Sequence, residues 1–340
     1  MVRVPLSVAM AIAAALTASG QQQTPRFKVD VARILVDTHV VDAAGSPILG
    51  LTAADFAVRI DGRPARVEHA RWVASESEAP PPSTNATDAR PNGRWTESSG
   101  RLIVLVFQRS MEPSRLAGLV RMQAKAARFI GTLGARDRVA IVWFDSHLKL
   151  AADFTSDRAA LARLVLESTR WTTPGPLEGG TDPSLASLLD YKAADHAASV
   201  EQGLLVLAHA LSRLPGPKIT ILFGWGFGRL IGGSVQLDAD YAHARTALVA
   251  ARTSVFSVDV TDAASHSLEV GLRLLAEGTG GDYVRTNDFA DAAFDRVARI
   301  VAGQYELAVE PPVLMHGDHT IDVQVPRRHA TVFARKGYTD

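Results

Sequence analysis

Six consecutive apolar residues, at positions 102–107, constrain the fold of this chain more than any other stretch. A continuous apolar run of strand length predicts a strand buried on both faces, as in a parallel sheet. Polar residues follow at once, from Gln108 to Glu112, and a helical pattern begins near Ser114. Ligands of open α/β sheets bind where loops leave the carboxyl ends of the strands, so this loop is the first candidate for a functional site.

Strand patterns and helical patterns alternate along most of the remaining chain. The predicted strands cover residues 138–144, 148–154, 218–223, 254–260 and 282–285. The predicted helices cover residues 114–133, 157–168, 184–214 (with a break considered near Tyr191), 239–252, 267–278 and 289–301. This alternation predicts an α/β fold, with a doubly wound, mostly parallel sheet that carries helices on both faces. The segment 148–154 is expected to be an edge strand.

Both ends of the chain depart from this alternation. Residues 26–74 combine strand-type segments with turn residues and predict a small N-terminal β-sandwich-like module. Residues 303–340 predict a C-terminal β-strand extension, which could pack on that module and close the two ends of the chain together. Residues 75–100 are rich in proline, serine and charge, so we interpret them as a disordered linker. The α/β domain is then assigned to residues 101–302.

The N-terminus has the composition of a secretory signal. Arg3 precedes the apolar stretch 4–16, small residues follow up to Gly20, and polar glutamines come next. The apolar stretch is shorter than the ~20 residues that span a bilayer, so we favour a cleaved signal at residues 1–20 over a membrane anchor. The mature chain is expected to be exported, periplasmic or extracellular, with no membrane span.

The overall composition narrows the classes of partner. The chain has 36 basic and 36 acidic residues, which gives no electrostatic reason to expect nucleic acid. Cysteine is absent, which excludes disulfides, thiolate metal sites and cysteine nucleophiles.

The sequence offers no convincing catalytic motif. The glycine-rich segment 224–233 lacks the spacing of a dinucleotide-binding loop, and no Gly-x-Ser-x-Gly elbow occurs. His316 and His319 are expected at a solvated turn. Asp259 is expected to serve as a helix cap or turn residue, and His266 has no carboxylate at a useful spacing. We therefore predict that the protein is not an enzyme.

Several short motifs follow one another in a distinctive order. They are Gly-Leu-Thr-Ala-Ala-Asp-Phe at 50–56, Asp-Gly at 61–62, Arg-Val-Ala-Ile-Val at 138–142, Asp-Phe-Thr-Ser-Asp at 153–157, Gly-Gly-Thr at 179–181 and Arg-Lys-Gly-Tyr at 335–338. In this order they resemble the von Willebrand factor type A (VWFA) family, in the form of the VWFA-related proteins of Acidobacteria, over nearly the whole mature chain. The resemblance implies a Rossmann-like fold.

The resemblance also implies where a metal-ion-dependent adhesion site would lie. In the family, Asp-x-Ser-x-Ser, a threonine and a second aspartate hold a divalent cation, mostly Mg²⁺, and a carboxylate of the partner protein completes its shell. Here Gln108 stands at the first aspartate, Glu112 at the last serine and Trp225 at the second aspartate, whereas Ser110 and Thr181 are retained.

These departures predict a degenerate adhesion site without a metal cofactor. Both aspartates are missing, and Arg109 adds a positive charge that would repel a cation at short range. The alternative is a Mg²⁺ site rebuilt from Ser110, Glu112, Thr181 and Asp182. We favour the metal-free interpretation because Mg²⁺ demands near-ideal octahedral geometry.

The function that follows is an exported protein-interaction or adhesion module. Its contact face is expected in the crevice formed by residues 108–113, 171–182 and 224–233. The partner-binding candidates are Arg109, Glu112, Thr181, Asp182 and Trp225. Tryptophan and arginine are typical interface anchors, although Trp225 could equally be a plug that fills the vacated metal position. The alternative function is a structural or assembly factor of the bacterial envelope, which would use its β modules for contacts.

Overall fold

A computed structural model describes residues 33–74, 100–169, 177, 183–287, 290–312, 316–326 and 329–340. These residues belong to one compact unit. The predicted signal, residues 26–32 of the predicted N-terminal module and residues 75–99 of the predicted linker lie outside the described residues. Thr181 and Asp182 lie outside them as well.

The described residues form fifteen strands and seven α-helices. The strands are β1 Ile34–Val41, β2 Ala57–Ile60, β3 Arg63–Ala74, β4 Leu102–Gln108, β5 Arg138–Phe144, β6 Leu148–Thr155, β7 Lys218–Gly224, β8 Arg229–Ile231, β9 Ser234–Gln236, β10 Thr253–Asp259, β11 Tyr283–Arg285, β12 Gly303–Glu310, β13 Asp318–Gln324, β14 Thr331–Ala334 and β15 Gly337–Thr339. The helices are α1 Pro113–Thr132, α2 Arg158–Leu166, α3 Tyr191–His196, α4 Val200–Ser212, α5 Ala239–Ala250, α6 Glu269–Thr279 and α7 Ala290–Ile300.

A six-stranded sheet in the order β11-β10-β7-β4-β5-β6 forms the centre of the α/β part. All neighbouring pairs are parallel except β5 and β6, so the antiparallel strand β6 lies at the edge. Every residue of β4 is buried, which accounts for its unbroken apolar run. The chain winds outward from β4 in both directions, and the prediction of a mixed α/β fold with a mainly parallel sheet is confirmed.

The helices cover both faces of this sheet because successive side chains of each strand point to opposite sides. Val104 and Val106 of β4 face a core to which α4, α5 and α6 contribute. Ile103, Leu105 and Phe107 face the opposite core, to which α1, α2 and α7 contribute. The sheet is therefore dry on both sides, and only its strand ends are open to a ligand.

A second, seven-stranded sheet joins the two ends of the described chain, in the order β14-β1-β12-β3-β2-β13-β15. The N-terminal strand β1 pairs antiparallel with the C-terminal strands β12 and β14. Its core contains Tyr305, whose hydroxyl donates to the carbonyl of Ile48 at 2.9 Å and accepts from the N–H of Leu51 at 3.1 Å. Strands from 33–74 and from 303–340 thus complete one sheet.

Two segments differ in part from their predicted local structure. In the segment 184–214, where a break near Tyr191 was considered, α3 begins at Tyr191 and α4 begins at Val200, because Asp190 and Ser199 each cap a new helix start through their side chains. The loop 224–233 contains half of a short hairpin, β8–β9. Gly232 and Gly233 both adopt positive φ at its tip, as a two-residue hairpin turn of the primed type requires.

Within the part of the chain that the structure describes, no helix combines the length and the apolar character that crossing a bilayer requires.

Candidate functional site

The candidate site lies at the carboxyl edge of the two central strands, β4 and β7. These strands are parallel neighbours, with Phe107 opposite Phe223, so their following loops leave the sheet side by side. The chain then continues into α1 on one face and, after the β8–β9 hairpin, into α5 on the other. Such a divergence of loops creates the crevice in which open α/β sheets bind ligands.

Gln108 joins the two loops through its side-chain amide. Its Nε2 donates to the carbonyl of Gly226 at 3.0 Å, and its Oε1 accepts from the N–H of Trp225 at 2.9 Å. The residue is buried, with 3% of its surface exposed. An aspartate could not make this bridge, because a carboxylate accepts hydrogen bonds but does not donate them. The neutral amide therefore joins the two loops by direct hydrogen bonds.

Glu112 is occupied in capping α1. Its carboxylate accepts from the N–H groups of Ser114 at 3.3 Å and Arg115 at 3.1 Å and from the Ser114 hydroxyl. These hydrogen bonds, that of the Ser114 hydroxyl foremost, hold the pKa of Glu112 below its ordinary value. Ser110 in turn accepts from the N–H of Glu112 at 3.2 Å. Ser110 and Glu112, which stand at the two serine positions of the VWFA motif, therefore shape and cap the N-terminus of α1.

Arg109, a partner-binding candidate from the sequence, lies in the interior. Only 1% of its side chain is exposed, and its Nη1 lies 3.5 Å from a carboxylate oxygen of Asp145. Its guanidinium also lies over the ring of Trp143, 4.9 Å from the ring centroid. Burial lowers the pKa of Arg109, while Asp145 opposes that effect. An arginine so enclosed has no surface to offer a partner.

Trp225 is half-buried and packs against the core that α1 covers. The guanidinium of Arg115 lies over its ring, 3.8 Å from the centroid, which is a close cation–π contact. Met111, in the loop that precedes α1, is 65% exposed. Trp225 is thus packed on one side and keeps part of its surface open.

The described residues at the family's metal positions do not fit a hard dication. Both polar atoms of Gln108 are used in the bridge between the loops, and the carboxylate of Glu112 is used in the helix cap. The indole of Trp225 has no oxygen to contribute. Mg²⁺ requires several oxygen ligands in near-octahedral array, which these side chains do not supply.

A cluster at the end of β10 was missed by the sequence predictions. His266 Nε2 lies 2.8 Å from Asp259 Oδ2, and the hydroxyl of Tyr283 donates to the same oxygen at 2.8 Å. Burial acts to raise the pKa of Asp259, but hydrogen bonds from His266 and the Thr261 N–H outweigh it and hold that pKa low. The interpretation that no carboxylate lies at a useful spacing from His266 overlooked both Asp259 and Glu269. The His-x-x-Glu spacing of His266 and Glu269 was a usable signal.

His319 also differs from its prediction as a residue of a solvated turn. It lies in β13 and is buried, with Nδ1 2.8 Å from Asp61 Oδ2 and its ring 4.9 Å from that of Tyr338. The hydrogen bond with Asp61 raises the pKa of His319. Its partners come from β15 and from the turn after β2, which the local sequence could not reveal.

The fold and this edge define a class: a mixed α/β protein with a mainly parallel central sheet and two loops joined by hydrogen bonds at its carboxyl edge. No family model and no curated protein matches the chain. Solved structures do show similarity. A von Willebrand factor type A protein from Catenulispora acidiphila is 13% identical and has a TM-score of 0.42. The match covers 86% of this chain and 75% of that protein's chain.

Two further structures are similar at the same level of identity. The vWF domain of the type V pili tip protein Mfa5 from Porphyromonas gingivalis is 13% identical over 58% of this chain and 93% of that one, with a TM-score of 0.38. Proximal thread matrix protein 1 from the mussel byssus is 13% identical over 63% of this chain and 49% of that one, with a TM-score of 0.41. At these scores the likenesses assign neither a family nor a function.

Proposed function

We propose that this chain is an exported protein-interaction or adhesion module of the VWFA type, and that it works without a metal ion. Its contact face is the crevice between the loops that follow β4 and β7. The observation that carries the proposal is the double hydrogen bond of Gln108 to Trp225 and Gly226, at 2.9 and 3.0 Å. The amide holds together the two loops that a cation would otherwise bridge.

The surface beside this bridge has the composition of an interface centre. Met111 is exposed, Trp225 is partly exposed and Arg115 lies across the indole ring. Methionine, aromatic residues and arginine are enriched at protein interfaces, where a few such residues supply most of the binding free energy. Glu112 remains a candidate for a rim contact, since its side chain is 46% exposed. Thr181 and Asp182 remain candidates from sequence alone.

The remaining parts of the proposal rest on the sequence. Export rests on the signal-type composition of residues 1–20, and the absence of catalytic function rests on the lack of a recognisable catalytic motif. The partner is proposed to be a protein, not a nucleic acid, because the formal net charge is zero.

The test is capture of a partner by the purified chain from an envelope extract of the source bacterium, followed by affinity measurement with that partner once isolated. Trp225→Ala and Met111→Lys should each weaken binding by roughly 30-fold, the effect of losing an interface centre residue worth about 2 kcal/mol. Met111→Lys is the cleaner variant, because the side chain is 65% exposed and its change should leave the fold intact.

Leu49→Lys supplies the matched control. Leu49 is 42% exposed, and it lies in the segment between β1 and β2 of the seven-stranded sheet, far along the chain from the crevice loops. The proposal expects this variant to bind like the wild type. Unchanged binding by both crevice variants, combined with loss in Leu49→Lys, would contradict it and favour an envelope assembly factor that binds through its β strands.

A further inference from the structure

His319 joins three parts of the seven-stranded sheet that lie far apart in the sequence. It belongs to β13, and its neighbours are Asp61, in the turn between β2 and β3, and Asp340, which follows β15. Nδ1 of the imidazole lies 2.8 Å from Asp61 Oδ2, and Nε2 lies 3.4 Å from Asp340 Oδ1. The histidine is buried, with 6% of its surface exposed. Each ring nitrogen therefore faces a carboxylate.

This arrangement favours the charged form of the ring. A neutral imidazole has one N–H group and one lone pair, whereas the imidazolium has two N–H groups. An ionised carboxylate only accepts hydrogen bonds, so a neutral ring would turn its lone pair towards one of the two aspartates. The hydrogen bond with Asp61, together with the charge of Asp340, raises the pKa of His319, although burial of the ring opposes this effect.

Backbone groups hold both carboxylates in place and keep them ionised. Asp61 Oδ1 accepts from the N–H of Thr320 at 2.8 Å and from its hydroxyl at 3.1 Å. Asp340 Oδ1 accepts from the N–H of Gly317 at 2.9 Å. The pKa of Asp61 is lowered chiefly by its hydrogen bond with the imidazole, and the pKa of Asp340 chiefly by the Gly317 N–H. Both aspartates therefore stay charged when the imidazole loses its proton.

Other ionisable side chains lie around the imidazole. The ring of Tyr338 in β15 lies beside it, with centroids 4.9 Å apart, and burial raises the pKa of this tyrosine. The guanidinium of Arg335 lies over the tyrosine ring, 5.8 Å from its centroid. His316 Nδ1 lies 3.6 Å from Asp340 Oδ1, but its side chain is 97% exposed. The Asp318 carboxylate accepts from a hydroxyl of β15. Among these described groups, only the imidazole between the carboxylates is buried and changes its charge near neutral pH.

We propose that His319, with Asp61 and Asp340, forms a pH-sensitive latch, which holds β15 on β13 while the imidazole is charged and releases β15 when the imidazole loses its proton. β15 is only three residues long, and it pairs with Asp318 to Thr320 of β13. Its release uncovers that edge of β13, and an uncovered strand edge can pair with a strand of another chain. The latch belongs to the seven-stranded sheet, so it does not depend on a partner at the crevice.

The direction of the response follows from the raised pKa of His319. When β15 is released, the imidazole titrates near its ordinary pKa of 6.5. Below that pH the ring is charged in both states, and the latch has its full strength. As the pH rises through the higher pKa of the latched state, this strength is lost. A difference of one unit between the two pKa values makes the opening constant of β15 about 10-fold larger at high pH than at low pH.

The test measures two quantities in the purified full chain between about pH 5.5 and pH 8.5, the range in which histidines titrate. NMR of the imidazole protons gives the pKa of His319. Hydrogen exchange of the backbone amides of β15, corrected for the intrinsic exchange rate at each pH, gives the opening constant of the strand. We expect a pKa above 6.5, and an opening constant that rises with pH by the factor that the pKa difference predicts.

Three variants distinguish the latch from a structural contact. His319→Gln should abolish the rise of the opening constant, and Asp340→Asn, which keeps the ring, should reduce it. His316→Gln is the matched control and should keep the full rise, because that side chain is exposed to solvent. Unchanged exchange in β12, an inner strand of the same sheet, shows that each variant is folded. The proposal is overturned if His319 titrates at or below 6.5, if the wild type shows no rise, or if His319→Gln shows the same rise.

Discussion

Replacing Asp137 with alanine should lower the free energy of unfolding by about 3–5 kcal/mol, the cost of leaving one member of a buried ion pair without its partner. Asp137 and Arg101 are 2% and 7% exposed, and Arg101 Nε donates to Asp137 Oδ1 at 3.0 Å. The carboxylate also accepts from the backbone N–H of Gly134 at 2.9 Å. Its removal leaves the buried guanidinium of Arg101 without its carboxylate and the half-buried N–H of Gly134 without its acceptor.

The position of this pair explains why its loss should affect the whole fold. Arg101 precedes β4, and its Nη1 donates to the carbonyls of Val301 and Ala302, in the turn between α7 and β12. The pair thus ties the central sheet to the seven-stranded sheet at their shared boundary.

Urea unfolding of the wild type and of Asp137→Ala measures the loss of stability, and Asp262→Ala is the matched control. The Asp262 carboxylate pairs with Arg121 at 3.1 Å, but these side chains are 45% and 36% exposed. Exposed ion pairs contribute less than about 1 kcal/mol, so the control should unfold nearly like the wild type. Equal losses of unfolding free energy in Asp137→Ala and Asp262→Ala would contradict the prediction, because the buried pair would then contribute no more to stability than an exposed one.

The second large effect is a loss of stability in acid caused by His39. Its imidazole is fully buried, and this burial lowers its pKa to about 4, against the weaker influence of hydrogen bonding to the carbonyls of Gly303 and Ile300. In the unfolded chain it titrates near 6.5. Between these two pKa values the unfolded state binds more protons than the folded state. The free energy of unfolding therefore falls as the pH drops from about 6.5 to 4, and His39 does not change it above that window.

The two pKa values of His39 differ enough to cost about 3 kcal/mol by pH 4. Urea midpoints recorded from pH 7.5 to pH 4 for the wild type and His39→Gln isolate this contribution, because the carboxylates titrate in both proteins. The wild type should lose more stability across the window. Parallel curves for the two proteins would mean that His39 is not buried in its neutral form.

The central sheet could be predicted from the sequence because burial on both faces requires apolar residues throughout. β4 and β5 carry such runs, and their predicted bounds agree with the observed ones to within one residue. The division of the segment 184–214 into two helices was predicted only as a break near Tyr191, because its apolar spacing continues through Asp190 and Ser199. Periodicity reports which face is buried, whereas these side chains, by capping α3 and α4, decide where each helix starts.

The candidate site was only partly predictable, for a different physical reason. The family resemblance identified the positions of Gln108 and Trp225, but the hydrogen bonds between their loops depend on strand pairing across more than a hundred residues. Burial of Arg109 depends on Asp145, which follows the neighbouring strand β5. Contacts of this kind arise from the assembled sheet edge, and local sequence patterns do not encode them.

The central claim is that the Gln108 amide bridges the crevice loops in place of a cation. It is tested most directly by titrating Mg²⁺ into the purified full chain, stripped with chelator, by isothermal calorimetry. We predict no saturable binding up to about 1 mM, the weak end of the affinities known for protein sites of hard cations. Binding of one Mg²⁺ per chain that is lost in the Glu112→Gln variant would contradict the claim.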